Sequence, residues 1–168
     1  MDTPQIYIAC LASYNGGILH GRWIDATQSK IDIMAEIQTI LDSSPVDGAE
    51  EFAIHDYDGF GNIRLSEYES IETIVAYAEF IVEHEELGQA LLCDYELEDA
   101  EKMISDYYHG CYDSEVDFAY HIFEECFSHT MPDNLTCYFD YEAFARDLFI
   151  SDYCSVEANG MTHVFSRY

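Results

Sequence analysis

Five residues in the stretch DYDGFGNIRLSE, residues 56–67, have the types and spacing of a cation site. Asp56, Asp58, Gly61, Ile63 and Glu67 fall where a twelve-residue calcium loop places its first two carboxylates, its turn glycine, its apolar eighth residue and its bidentate glutamate. The fifth position should be Asp or Asn, but Phe60 stands there, and Gly59 adds a second glycine. A helix should precede the loop, whereas EEFAIH before it alternates like a strand, and no second loop of this spacing occurs to form a pair. The stretch therefore reads as a strand-to-helix turn whose glycines supply positive φ, with an acidic calcium-binding module as the alternative. The other chemistries leave less trace. The seven histidines show no H-E-x-x-H pattern, and neither a G-x-S-x-G elbow nor a glycine-rich phosphate loop followed by lysine is present. Six cysteines without a C-x-x-C pair read as free thiols. Neither an enzyme nor a cofactor is expected.

The carboxylates themselves are the outstanding feature. The chain of 168 residues has 34 Asp and Glu against six Lys and Arg, a formal net charge of −28. Between residues 65 and 125 the acids Glu67, Glu69, Glu72, Glu79, Glu83, Glu86, Asp94, Glu96, Glu98, Asp99, Glu101, Asp106, Asp113, Glu115, Asp117, Glu124 and Glu125, the seventeen expected to form a functional negative surface, together with Glu85 face a single base, Lys102. A merely solvated helix would intersperse Lys with Glu, because like charges one turn apart cost a few tenths of a kcal/mol each. Such a surface excludes nucleic acid as a direct ligand and calls for a basic partner. Duplex DNA carries one charge per about 1.7 Å of axis, so 28 charges correspond to about 48 Å, or about 14 base pairs. The charge thus matches a DNA binding-site length, and a protein that fills a basic DNA-binding cleft is the expected class.

These acids must be positioned by a real fold, and 14 Tyr with 10 Phe provide the core that a disordered acidic tail lacks. The spacing predicts a strand over residues 5–11, a turn at SYNGG, and a second strand in ILHGRWID, together a hairpin. Ile31, Met34, Ile37, Ile40 and Leu41 recur at helical spacing up to Pro45, and EEFAIHDYD reads as a returning strand. Ser66 with Glu69 has the form of a capping box, predicting a helix from about residue 66 with an apolar stripe of Tyr68, Ile71, Ile74, Val75, Ala78, Ile81 and Val82. Further helices are expected over 89–93 and 97–108, broken at Gly88 and Asp94, and over 114–127. LTCYF reads as a strand, 141–149 as a short helix, and YCSVE and MTHVFSRY as a hairpin turned by Asn159 and Gly160. Trp23 and Arg22 read as packing residues. The expected class is α+β, elongated to spread its charge, with three small domains in tandem: an N-terminal α+β domain over 1–60, an acidic helical middle over 61–108 and a C-terminal α+β domain over 109–168. No leader and no membrane-length apolar run is visible, so a cytoplasmic location without membrane contact is expected.

Three long stretches carry a resemblance. IYIACLASYNGGILHGRWIDA (residues 6–26), IHDYDGFGNIRLSEY (54–68) and YFDYEAFARDLFISDY (138–153), with the closing HVF, closely resemble the ArdA antirestriction family in order along nearly the whole chain. The resemblance implies a protein of plasmids and conjugative transposons that mimics bent B-form DNA. It implies that the protein occupies the groove of the specificity and methyltransferase subunits of type I restriction-modification enzymes, inhibiting restriction and modification. It further implies an elongated homodimer of three small domains joined through the C-terminal one, and an antirestriction motif corresponding here to DSEVDFAYHIFEEC, residues 113–126. In that motif Val116, Phe118, Ala119 and Ile122 lie on an apolar stripe that suits core packing and a share of the dimer seam.

Overall fold

The computed structural model describes every residue except Met1, Ser128, Thr130 and Tyr168, and Asp133 only in its backbone. The last residue of the expected C-terminal strand, Tyr168, therefore lies outside the described residues. The chain divides into two compact units, Met1–Asp94 and Tyr95–Tyr168. Both hold helices and one three-stranded antiparallel sheet, and helices occupy the middle of the chain, so the α+β class is the one that the sequence pattern predicts.

In the first unit β1 (Gln5–Cys10) is the central strand, flanked by β2 (Gly21–Asp25) and β3 (Phe52–Asp58). Alternation in β1 sends Ile6, Ile8 and Cys10 inward, all fully buried. The link from β1 to β2 is longer than a tight hairpin turn: α1 (Leu11–Asn15) forms one turn of helix in it, and its buried Ser13 hydroxyl hydrogen-bonds Ser44 at 2.8 Å. The helix α2 (Lys30–Asp42) is capped by Ser29, whose side chain accepts from the Asp32 amide. It packs on β1 and β2 through Ile33, Ile37, Ile40 and Leu41. The expected stripe was therefore one step out of phase at its start, since Ile31 is 80% exposed while Ile33 is inside.

The long helix α3 (Ile71–Asp94) starts later than expected. Residues 61–70 form turns first, fixed by the Ile54 amide donating to the Glu67 carbonyl at 2.9 Å. Ser70, not Ser66, caps the helix, its Oγ accepting from the Thr73 amide at 3.0 Å. Ile71, Ile74, Ala78 and Ile81 form the buried stripe, with Tyr68 and Val82 left exposed. A break falls at Glu85 (φ 52°, ψ −134°), not at Gly88. Gly88 serves close packing instead, because a Cβ there would sit 3.0 Å from the Phe80 carbonyl oxygen.

The second unit opens with α4 (Leu97–Asp106) and β4 (Tyr108–Tyr112), a strand the periodicity did not predict. Then come α5 (Glu115–Cys126), the short α6 (Asp133–Thr136), α7 (Tyr141–Ser151), β5 (Tyr153–Ala158) and β6 (Met161–Ser166). LTCYF is turn and short helix rather than strand, its Leu135 and Tyr138 are exposed, and neither sheet among the described residues includes it. The sheet order is β4-β6-β5. The β5–β6 hairpin forms as expected, with Asn159 and Gly160 both at positive φ (53° and 70°). Where the first core is built of isoleucine, this one is aromatic: Phe118 meets Tyr153, Tyr112 and Phe149 with ring centroids 4.7, 5.2 and 5.7 Å away, and Phe123 meets Phe139 at 4.4 Å. No helix among the described residues is long and apolar enough to cross a membrane.

Candidate acidic interface

Helical periodicity sorts the acids outward. On α3 the buried residues Ile71, Ile74, Ala78 and Ile81 turn Glu72, Glu79 and Glu83 to solvent, and Glu86 and Asp94 follow beyond the break. On α4, Ala100 and Met103 are inside while Glu98, Asp99, Glu101 and Asp106 are exposed, preceded by the exposed Glu96 at the N-cap. On α5, Phe118, Ala119 and Phe123 are buried and Asp117, Glu124 and Glu125 are exposed, with Asp113 exposed in the turn before. Glu67 is exposed ahead of α3; only Glu69 and Glu115 of the seventeen expected residues are half-buried. Ser13 and Thr162 are the only buried polar residues among those described, so no described carboxylate lies inside the protein.

The helices accept some acids where the backbone favours them and others where it does not, since Asp42, Asp94, Asp106, Glu124 and Glu125 stand in last turns. Asp32, Glu72, Glu98, Asp99, Glu115, Asp117 and Glu142 stand in first turns, next to the positive end of the helix dipole. The last turn of each of these helices holds no base, so the complementary stabilisation, about 0.3–1 kcal/mol per cation, is forgone at every C-terminus. Glu79 and Glu83 face each other one turn apart with no ion pair among the described residues.

Not all seventeen are equally free to meet a partner. Lys30 of α2 pairs with Glu72, and His55 Nε2 lies 3.5 Å from Glu67 Oε1. Glu115 Oε1 accepts from the Ser155 hydroxyl at 2.7 Å, and Glu125 lies 3.4 Å from His121. Four of the six bases are engaged inside their own unit: Lys30; Arg22, on Glu36 at 3.2 Å; Arg167, which donates to the carbonyls of Tyr153 and Phe149; and Lys102, over the Tyr107 ring. The negative surface is thus little relieved by the cations that the chain does contain.

The calcium-like stretch takes the shape of a turn. Asp56 and Asp58 end β3, Gly59 and Gly61 adopt φ of 79° and 61°, and Phe60, at the fifth position, is 1% exposed. The Gln89 side chain donates to the Gly59 carbonyl at 2.8 Å, and Ile63 is buried beside the turn. Among the described residues no group of His, Cys, Asp and Glu is arranged to hold a metal ion.

Of the apolar stripe on α5, Phe118 and Ala119 are in the core of their own unit, and Val116 and Ile122 are half-buried. The sequence reading did not single out Tyr120, Phe127, Leu135, Tyr138 and Ile150 as an exposed apolar group in this unit. The spacing carried a signal for one of them: Ile150 falls off the buried position of α7, Ala145, by five residues. Arg22 and Trp23, expected as packing residues, are both exposed, at 45% for the Arg22 side chain and 43% for Trp23: Arg22 pairs with Glu36 at 3.2 Å, and Trp23 meets Tyr7 edge to face.

A family model described as Antirestriction protein (ArdA) matches residues 6–163. No curated protein matches the chain.

Proposed function

Because the chain belongs to the ArdA antirestriction family, we propose that the outward carboxylates of α3, α4 and α5 stand in for DNA phosphates in the cleft of a type I restriction-modification enzyme. Family membership implies antirestriction by DNA mimicry, performed by non-enzymatic inhibitors that act through binding. The observation that supports these residues is the complete sorting of the acids: fifteen of the seventeen are exposed, two are half-buried and none is inside.

In this reading Lys and Arg of the specificity and methyltransferase subunits, which otherwise grip phosphates, meet carboxylates on successive helical turns about 5–6 Å apart. Glu79, Glu83, Glu86, Asp94, Glu96, Glu98, Asp99 and Glu101 lead the contact, since Glu72 and Glu67 already have partners. The acidic middle stretch, residues 61–108, acts as one of three small domains. Affinity is distributed, because each exposed pair contributes about 0.2–1 kcal/mol. Modification is inhibited with restriction, since both need DNA in the same cleft.

The protein acts as a homodimer through its C-terminal unit. Support comes from the half-buried Val116 and Ile122, which lie on α5 within three residues of Phe118 and Ala119, and from the exposed Tyr138 and Ile150. Cleavage of unmodified plasmid by a purified type I enzyme tests the function: the protein stops cleavage at near-stoichiometric amounts, and cleavage that continues under a large excess rejects it.

A further inference from the structure

The open face of the N-terminal sheet carries a surface of a different composition. Strand register sets Trp23, Tyr7 and Asp56 in one row across β2, β1 and β3, and Asp25, Gln5 and Asp58 in the next. Residues directly opposite in antiparallel strands share a face, as do residues two apart along a strand. The alternate residues Ile6 and Ile24 are buried in the core, so these two rows point away from it. Trp23, Gln5, Asp25, Asp56 and Asp58 are exposed and Tyr7 is half-buried. The two rings meet edge to face with centroids 5.6 Å apart. Neither row contains a base, and Arg22 is held by Glu36 of α2.

We infer that this face docks an arginine-bearing protein segment, the guanidinium lying on Trp23 and Tyr7 with its charge met by Asp25, Asp56 and Asp58. Charge complementarity calls for a cation, and the exposed rings select which one. A guanidinium is planar, weakly hydrated and stacks on aromatic faces, whereas an ammonium is a compact, strongly hydrated point charge. The carboxylates are spread over two outer strands roughly 10 Å apart, a span suited to a peptide segment rather than to a single ion. One oxygen each of Asp25 and Asp56 accepts local hydrogen bonds, from Thr27 and from the Tyr57 amide, which leaves the other oxygen for the partner. That the segment belongs to the restriction enzyme rests on the mimicry reading. The added content is that recognition includes a stacking surface, which no phosphate row imitates.

Trp23 is the chain's only tryptophan, so tryptophan emission, excited at the long-wavelength edge where the 14 tyrosines do not absorb, reports on this face alone. The full-length protein is titrated with hexa-arginine and with hexa-lysine, and Trp23→Ala and Trp23→Phe variants are compared in displacing DNA from a type I methyltransferase. The expected result is a saturable emission change at lower hexa-arginine than hexa-lysine concentration, shifted upward by Asp56→Asn with Asp58→Asn. Trp23→Ala should weaken displacement about two- to five-fold with an unchanged salt slope, and Trp23→Phe should retain most of it. Emission unmoved by hexa-arginine, or a folded Trp23→Ala variant as potent as wild type, overturns the inference. If wild type displaces no DNA while hexa-arginine still shifts Trp23 emission, the arginine site stands and the mimicry reading fails.

Discussion

Replacing Glu83 by lysine should make the protein more stable and less active at once. Glu79 and Glu83 are exposed, one turn apart on α3, before the break at Glu85. The substitution removes a like-charge pair and places a lysine four residues after Glu79, the favourable order, each change contributing about 0.2–0.5 kcal/mol. The sum is about 0.4–1 kcal/mol at low salt, which for a cooperative unit the size of Met1–Asp94 raises Tm by about 2–8 °C. Half of this gain should appear in Glu83→Gln, and both gains should shrink as salt screens the charges. The same exchange puts two units of the wrong charge against a basic cleft, costing about 0.4–2 kcal/mol of binding, or about two- to thirty-fold in inhibition. Differential scanning calorimetry and a cleavage-inhibition titration on the same samples measure both effects. A variant no more stable than wild type would refute the repulsion argument. A stabilised variant that inhibits as well as wild type would show that the outer face of α3 does not contact the enzyme.

Three further outcomes are expected. Ser70→Ala should lower stability by about 1 kcal/mol, read from urea denaturation, and Ser66→Ala by clearly less, because only Ser70 caps α3. On β6, burial lowers the His163 pKa below the ordinary value, against the opposing pull of Glu157 and a backbone hydrogen bond at Ala158, and its Nδ1 lies 2.8 Å from the Tyr108 hydroxyl. The fold therefore favours neutral imidazole: as pH falls below about 6.5 the unfolded chain takes up a proton that the folded one resists, and stability is lost until the lowered folded pKa is reached. The Tm gap between wild type and His163→Gln should accordingly narrow from about pH 7 to about pH 5, whereas a constant gap would contradict the assignment. Tyr138→Glu with Ile150→Glu, at positions 81% and 68% exposed, should leave the fold intact and convert the proposed dimer to a 19.3 kDa monomer in sedimentation equilibrium; a variant that remains dimeric moves the contact elsewhere, and a monomeric wild type rejects the dimer.

Local signals in the sequence placed most elements. β1, α2, β3, α5, α7 and the Asn159–Gly160 hairpin follow from period, caps and turn residues that agree with one another. What stayed hidden was decided by distant partners. Ser66 and Ser70 are both plausible caps, and the choice falls to Ser70 because the chain up to Glu67 is tied to β3. β4 contains Gly110 at φ 109° and exists through pairing with β6, more than fifty residues away. LTCYF has strand-forming side chains but joins neither sheet among the described residues. KIDIMAEIQTIL admits two helical phases, and the sheet selects the one with Ile33 inside. The acidic face was legible because outward acids need only helical spacing. Its exceptions were not: the partners of Glu72 and Glu115 come from 42 and 40 residues away. The Trp23–Tyr7–Asp56 row is a matter of strand register, which the hairpin turn could not set because a helix occupies it.

The most direct test of the central claim is competition for the cleft. A type I methyltransferase is loaded with a labelled cognate duplex and titrated with this protein at low and moderate salt, with calcium and with chelator. Displacement at near-stoichiometric protein, weakening as salt rises and indifferent to calcium, is the outcome that mimicry by distributed carboxylates predicts. A duplex that stays bound at every concentration, or displacement insensitive to salt, would contradict it.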